Sequence, residues 1–315
     1  MWFETLLILS KGGIKWHTIC HTNVMNNLKK YFSLLFAFCI CTSFVFQNIL
    51  SPLSWGEGQA SDDSDEYRTP SEVRSDSLRV QKNEAFKRGE ILKYRMHYGF
   101  INAGEVVIQV MDENKKVGAR NTLHVVGIGY TNSAFDLFFK VRDRYESYID
   151  EEAIVPWISI RHVNEGGYSI NQNQVFNHYK NTVDSDGKII EVPDGVQDLI
   201  SSFFYARTLD FATAKEGDIF EFPCFVDNEV WPMKIKYLGK ETIRSDVGKI
   251  RCIKFCPVVQ QGRVFKKEED MTAWITDDKN KIPVRAEAKI AVGSIKMDLT
   301  SYSGIANPIS LVGKK

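Results

Sequence analysis

The sequence predicts an all-β domain, a strongly bent antiparallel sheet closing to a soluble barrel-like fold, with one amphipathic helix packed on it. Three observations predict it. Short runs of period-two alternation recur from Ile91 to Tyr302 with turn residues between them, the pattern of half-buried antiparallel strands. The block from Asp270 to Tyr302 holds three such runs, and its small and branched residues Ile282, Val284, Ala286, Ala288 and Ile290 make an inward face that lets a sheet curve. One stretch alone, residues 194–209, changes to helical spacing.

In chain order, Leu92, Tyr94, Met96 and Tyr98 alternate with Lys93, Arg95 and His97, which reads as a half-buried strand. Val106, Ile108 and Val110 alternate with Glu105 and Gln109 as its hairpin partner. Further strands are expected at Leu123–Tyr130, Phe138–Ile149, Trp157–Asn164, Tyr168–Tyr179 and Lys188–Val192, with Glu165-Gly166-Gly167 and Asp184-Ser185-Asp186-Gly187 as turns. The helix follows. Asp194 with Gln197 three residues on forms a variant capping box, and Val196, Leu199, Ile200, Phe203 and Phe204 form a wide apolar stripe, a plug or lid on the sheet. Strands resume at Phe220–Phe225 and Trp231–Leu238, joined across Val226-Asp227-Asn228-Glu229, and at Lys249–Val258 and Met271–Thr276. Lys234, Lys236, Arg285 and Lys289 mark outward positions as wet, which excludes a transmembrane barrel with an apolar lipid face.

Ahead of this domain, the N-terminus reads as a targeting segment. Lys29 and Lys30 precede a sixteen-residue stretch without charge, Tyr31 to Phe46, short for a spanning helix. Residues 1–24 read as an upstream extension of a true start at Met25. Residues 25–60 then form a signal peptide, with a small-x-small site at Gly58-Gln59-Ala60, or an uncleaved anchor. Lipidation at Cys39 or Cys41 is a further alternative, disfavoured because Phe38 and Ile40 are bulky where a lipobox wants a small residue. Residues 61–85, rich in Ser, Asp, Glu and Arg, read as a solvated linker, residues 86–303 as a single domain and 304–315 as a tail.

Composition bounds the function. Forty Lys and Arg balance forty Asp and Glu, so no overall field gathers nucleic acid, and no nucleic-acid partner is expected. Three of the six cysteines, Cys224, Cys252 and Cys256, fall in the domain. The last two, four apart on one strand, lie roughly 13 Å apart, beyond the ~7 Å that a disulfide spans. Small buried hydrophobes, or a bridge from Cys224 to one of the others, remain open. His97, His124, His162 and His178 show no ligand spacing, so no metal is expected, and Asp277-Asp278-Lys279-Asn280-Lys281 lacks the glycine and terminal glutamate of a calcium loop. No motif calls for a cofactor.

The run Arg142 to Tyr148 places Asp143 on the side its apolar neighbours bury, where it needs a partner such as Arg161 or Arg207. Twenty Phe, twelve Tyr and six Trp give an aromatic load that either lines an apolar cavity or fills it. The ligand-binding candidates are Asp143, Tyr145, Arg161, Phe203, Arg207 and Trp274; no catalytic residue is assigned.

Taken together, "GEILKYRMHYGFINAGEVVIQV" (Gly89 to Val110), "VRDRYESYID" (Val141 to Asp150), "VPWISIRHVNEGGY" (Val155 to Tyr168), "DLISSFFYARTLD" (Asp198 to Asp210) and "WITDDKNKIPVRAEAKIAVGSIKMDL" (Trp274 to Leu299) resemble the domain-of-unknown-function family numbered 3108, in order and spacing across roughly residues 86–303. The resemblance implies an exported bacterial protein with a strongly bent, barrel-like sheet, and carries no activity or catalytic residue. The expected function is a periplasmic or envelope-associated protein holding a lipid or glycolipid. The alternatives are a scaffold module with an envelope protein partner and a hydrolase of envelope glycan.

Overall fold

Fifteen strands form one antiparallel sheet in this computed structural model, which describes residues 78–257, 271–289 and 294–313. The upstream extension, the targeting segment, the linker up to residue 77 and Ile290 lie outside the described residues. The first group of strands comprises β1 (Ile91–Tyr98), β2 (Ile101–Val110), β3 (Lys115–Val117), β4 (Arg120–Thr131) and β5 (Arg142–Asp150). Then come β6 (Pro156–Glu165), β7 (Tyr168–Asn177), β8 (Thr182–Ser185) and β9 (Lys188–Glu191). The second half holds β10 (Ile219–Val226), β11 (Glu229–Ser245), β12 (Gly248–Pro257), β13 (Met271–Thr276), β14 (Pro283–Lys289) and β15 (Ser294–Ser303). Two short helices interrupt them, α1 (Ser133–Asp136) and α2 (Leu199–Ala206).

The strands run β10-β11-β12-β13-β14-β15-β1-β2-β4-β5-β6-β7-β8-β9, with β3 added to β4. Two meanders therefore join where the last strand pairs with the first, Met96 opposite Met297. Alternation works as the sequence predicts: Leu92, Tyr94 and Met96 of β1 and Val106, Ile108 and Val110 of β2 are all buried in one core. Two-residue turns fix the register. Asp227 and Asn228 both have positive φ between the paired Val226 and Glu229, the backbone a tight hairpin with right-handed twist needs.

β9 and β10 are the two ends of the sheet, and among the described residues no ladder joins them. Side chains bring them together instead. Phe176 and Val183 from one end, Phe225 from the other, and Val192 and Val196 between them form a buried cluster, with Phe176 and Phe225 edge to face at 6.1 Å. Gln197 then pairs with the β10 edge: its amide donates to Pro223 O at 2.9 Å and its carbonyl accepts from the Phe225 amide at 2.7 Å.

That pairing corrects the expected helix start. Residues 195–197 are spent on a turn at Gly195 (φ 66°) and on the β10 edge, so Asp194 caps nothing. Asp198 is the cap: its carboxylate accepts from the Ser201 amide at 2.6 Å, and Ser201 Oγ accepts from the Asp198 amide at 2.8 Å. Phe138 is not strand either. Asn132 caps the single turn of α1, and β5 begins only at Arg142. Val284 also departs from its expected side. A bulge where Trp274 opposes Arg285 and Ile275 opposes Pro283 turns it away from the main core, into a cluster with Ile243, Ile250 and Cys252 under the C-terminal residues Ile309 and Leu311. Cys224, Cys252 and Cys256 are buried thiols, none of them in a disulfide among the described residues.

Candidate functional site

α2 lies inside the bent sheet, against β5 on one side and β10 on the other. Its register divides what surrounds it. Asp198 and Ser201 meet a polar wall, while Ser202, Phe203, Ala206 and Arg207 border an apolar cavity.

The polar wall comes from the inward positions of β5 and β6. Asp143, only 2% exposed, accepts from the Asn164 amide at 2.9 Å. Burial pushes its carboxyl above the usual carboxylate range, against the opposing pull of hydrogen bonds from Glu165 and Asn164 and of the Arg161 charge. Glu165 is thus a second buried carboxyl against the first, and low-dielectric surroundings disfavour a charge on both at once. Arg161, also buried, donates from Nη1 to Asp227 Oδ1 at 2.7 Å and to Gln172 Oε1 at 3.3 Å, and its guanidinium lies 5.8 Å from the centre of the Tyr145 ring. Burial also raises the Tyr145 phenol. Of the two cations expected to serve Asp143, Arg161 therefore acts at a distance and keeps its ion pair for Asp227, tying β6 to the β10–β11 turn across the gap in the sheet. Arg207 is engaged elsewhere. Further along, burial raises the Asp198 carboxyl, which the Ser201 amide and the hydroxyls of Ser147, Ser201 and Ser159 partly offset.

Arg207, 2% exposed, forms a bidentate pair with Glu90, 1% exposed, at 2.5 and 2.9 Å. It also donates to Asn280 O at 3.0 Å and Ala85 O at 3.1 Å, and its guanidinium sits 5.2 to 5.8 Å from the ring centres of Phe86, Phe203 and Phe204. The cation thus fixes the end of α2 to the segment before β1 and to the turn before β14. Sequence reasoning did not mark Glu90, because nothing local distinguishes it from a surface acid.

The cavity has a volume of about 130 Å³. Phe203, Ala206 and Phe211 border it from the helix side, and Phe222, Met233, Phe255, Ala286 and Met297 are among the residues lining it from β10 to β15. Arg207 and Lys281 are its two charged lining residues, and Glu90 takes up the first. Partial burial holds the Lys281 ammonium below its ordinary range, the nearby Asp210 opposing that shift. Trp274 stands outside this arrangement. Its Nε1 donates to Glu241 Oε1 at 2.9 Å and Lys254 lies 5.5 Å from its ring centre, while Ala273 and Ile275 on either side of it line the cavity. The sequence candidates thus fall in three places: Asp143, Tyr145 and Arg161 on the polar wall, Phe203 and Arg207 at the cavity, and Trp274 on the far side of β13.

Chemically, the cavity offers apolar surface and one ammonium. The Asp143–Glu165 pair is hydrogen-bonded and enclosed, whereas glycoside hydrolysis needs carboxyls about 5 Å or more apart with a sugar between them. Among the described residues, no group of three or more His, Cys, Asp or Glu could hold a metal ion, and no helix is long and apolar enough to cross a membrane.

Residues 93–300 match the model of the family described as Protein of unknown function (DUF3108). No curated protein matches the chain. Solved structures similar to it include two that are covered over nearly their whole length. One is a beta-barrel-like protein of domain of unknown function DUF1849 from Brucella abortus, 8% identical, with 73% of this chain and 99% of that chain covered at a TM-score of 0.46. The other is the hypothetical protein CT021 from Chlamydia trachomatis, 6% identical, with 73% and 94% covered at a TM-score of 0.33.

Proposed function

The chain belongs to the DUF3108 family of proteins of unknown function, and on that footing we propose that it is an exported envelope protein that holds the apolar part of an amphiphilic molecule, a lipid or glycolipid, in the cavity beneath α2. The observation that carries this reading is the lining: apolar side chains from one helix and six strands around an open space, with a single uncommitted ammonium, Lys281, among them. An apolar cavity of about 150 Å³ is known to take up a benzene molecule, so this one accommodates a comparable piece of an acyl chain rather than a whole lipid. The remainder of the ligand then lies outside, and Lys281 is placed to meet an acidic head group. The export reading rests on the basic and uncharged residues 29–46.

The test is native mass spectrometry, followed by solvent extraction, of protein purified from its own envelope. We expect a stoichiometric small amphiphile on the wild type and its loss from Ala286→Phe, which fills the cavity. Wild-type protein that arrives without a bound amphiphile, or a filled variant that retains it, overturns the reading.

A further inference from the structure

We propose that the end of the barrel bearing the β1–β2 turn is a membrane-insertion surface, independent of the cavity. Phe100, at the apex of the Gly99-Phe100 turn between the paired Tyr98 and Ile101, is 97% exposed. Beside it, Leu137 and Phe138 in the connection from α1 to β5 are 85% and 66% exposed. The two tips are fastened together: Asn132 Nδ2 donates to Asn102 O at 2.7 Å and its amide to Ala103 O at 3.0 Å. Below them, Ala103, Phe135, Phe139 and Val141 form a buried cluster of their own, so the tips stand on a packed base. The same short segment thus sends Phe135 and Phe139 inward and Leu137 and Phe138 into solvent. Nothing in the fold requires a large apolar side chain at these apices, and contiguous exposed apolar surface marks a site of interaction.

Shape and charge favour a bilayer as the occupant. The apolar groups project from turn apices rather than line a groove; a protein partner would need matching sockets, whereas the lipid interface admits aromatic and aliphatic side chains without them. Exposed lysines flank the tips. Lys140 follows Phe138 on one side, and Lys289 on the other pairs with Ser294, whose carbonyl accepts from the Gly99 amide at 2.8 Å. Of the acids beside them among the described residues, Asp136 is ion-paired with Arg142 at 2.6 Å and Glu105 is hydrogen-bonded by the Tyr130 hydroxyl at 2.6 Å. The end therefore presents apolar prongs between cations, which suits a surface of anionic head groups.

Hydrogen exchange of the full chain, with and without vesicles of phosphatidylethanolamine and phosphatidylglycerol, tests this. Vesicles should slow exchange at residues 99–102 and 134–140 and leave residues 151–153, past the other end of β5, unchanged. The triple variant Phe100→Ser, Leu137→Ser, Phe138→Ser should lose that protection, with its melting temperature within a few degrees of wild type since the three side chains face water. Full burial of each such side chain strengthens partitioning about tenfold or more, so the triple variant should weaken tip-dependent binding by roughly a thousandfold. Exchange at the tips that vesicles do not alter overturns the proposal, as does protection that persists in the triple variant. Protection that rises with protein concentration without vesicles assigns the surface to a second copy and equally overturns it. Failure here leaves the cavity reading intact, because neither tip lines the cavity.

Discussion

Replacing Glu90 by Ala removes both carboxylate acceptors of the Arg207 guanidinium and leaves a buried cation with only the carbonyls of Ala85 and Asn280. Neither partner has water access to compensate, since both are almost fully buried. Breaking such a pair by removing one member costs about 3–5 kcal/mol. In a domain of this size each kcal/mol lowers the melting temperature by about 2–4 °C, so Glu90→Ala should melt roughly 6–20 °C below wild type. The double variant Glu90→Leu, Arg207→Met removes both charges and keeps volume, and should be more stable than Glu90→Ala alone. Urea denaturation followed by tryptophan fluorescence reads both, as shifts in midpoint at constant slope. A Glu90→Ala midpoint within about 1 kcal/mol of wild type, or a double variant worse than the single, would refute the reasoning that this pair fastens α2 over the cavity.

Other substitutions probe the remaining parts. Phe204→Ala, which empties a fully buried site packed edge-on against Phe86 at 4.7 Å, should cost about 3–5 kcal/mol in the same denaturation assay. Gly104→Ala should cost at least about 1–3 kcal/mol, because its Cβ meets the Tyr130 carbonyl and the Thr131 Cα across the β2–β4 ladder; an unchanged midpoint would mean that the strands part freely there. Asp198 has a raised carboxyl, so the folded state binds its proton more tightly than the unfolded chain, and its ionisation withdraws stability as pH rises above about 4. Asp198→Asn keeps a capping side chain and should gain on wild type with rising pH, by about 1.4 kcal/mol per unit of the shift, in melting curves recorded from pH 4 to 8. Asp143→Ala should cost about 1–3 kcal/mol through the Asn164 amide and the Glu165 contact rather than the larger sum for an orphaned cation, since Arg161 keeps Asp227; a loss above about 5 kcal/mol would show that Arg161 depends on it.

Local periodicity made much of the sheet legible. Strands such as β1, β2 and β6 have an inner row that the alternation of their own residues specifies, and turns such as Asp227-Asn228 carry their chemistry in two residues. What escaped depends on distant partners. The start of α2 is displaced because Gln197 finds the edge of β10, and no property of residues 194–198 announces that edge. β11 runs on to Ser245 through a bulge at Gly239 (φ 94°), where the alternation of the sequence breaks and a strand end was expected near Leu238. At the site, the aromatic stripe of α2 pointed to Phe203 and Arg207 was marked as a partner for Asp143, but its actual partner Glu90 lies far away in the chain and looks like a surface acid in its local context. The same holds for His124. It stands between Glu113 at 2.6 Å and Glu146 at 2.7 Å, stacked on Tyr148, which the β3–β4 and β4–β5 registers together bring to one place.

The central claim, an apolar cavity that receives part of an amphiphile, is tested most directly by titrating the purified protein with the fluorescent fatty acid cis-parinaric acid. Saturable binding of one molecule per chain is the predicted result, weakened at least about tenfold by Ala286→Phe and more modestly by Lys281→Met, with melting temperatures retained. Binding that does not saturate, or that Ala286→Phe leaves unchanged, would contradict it.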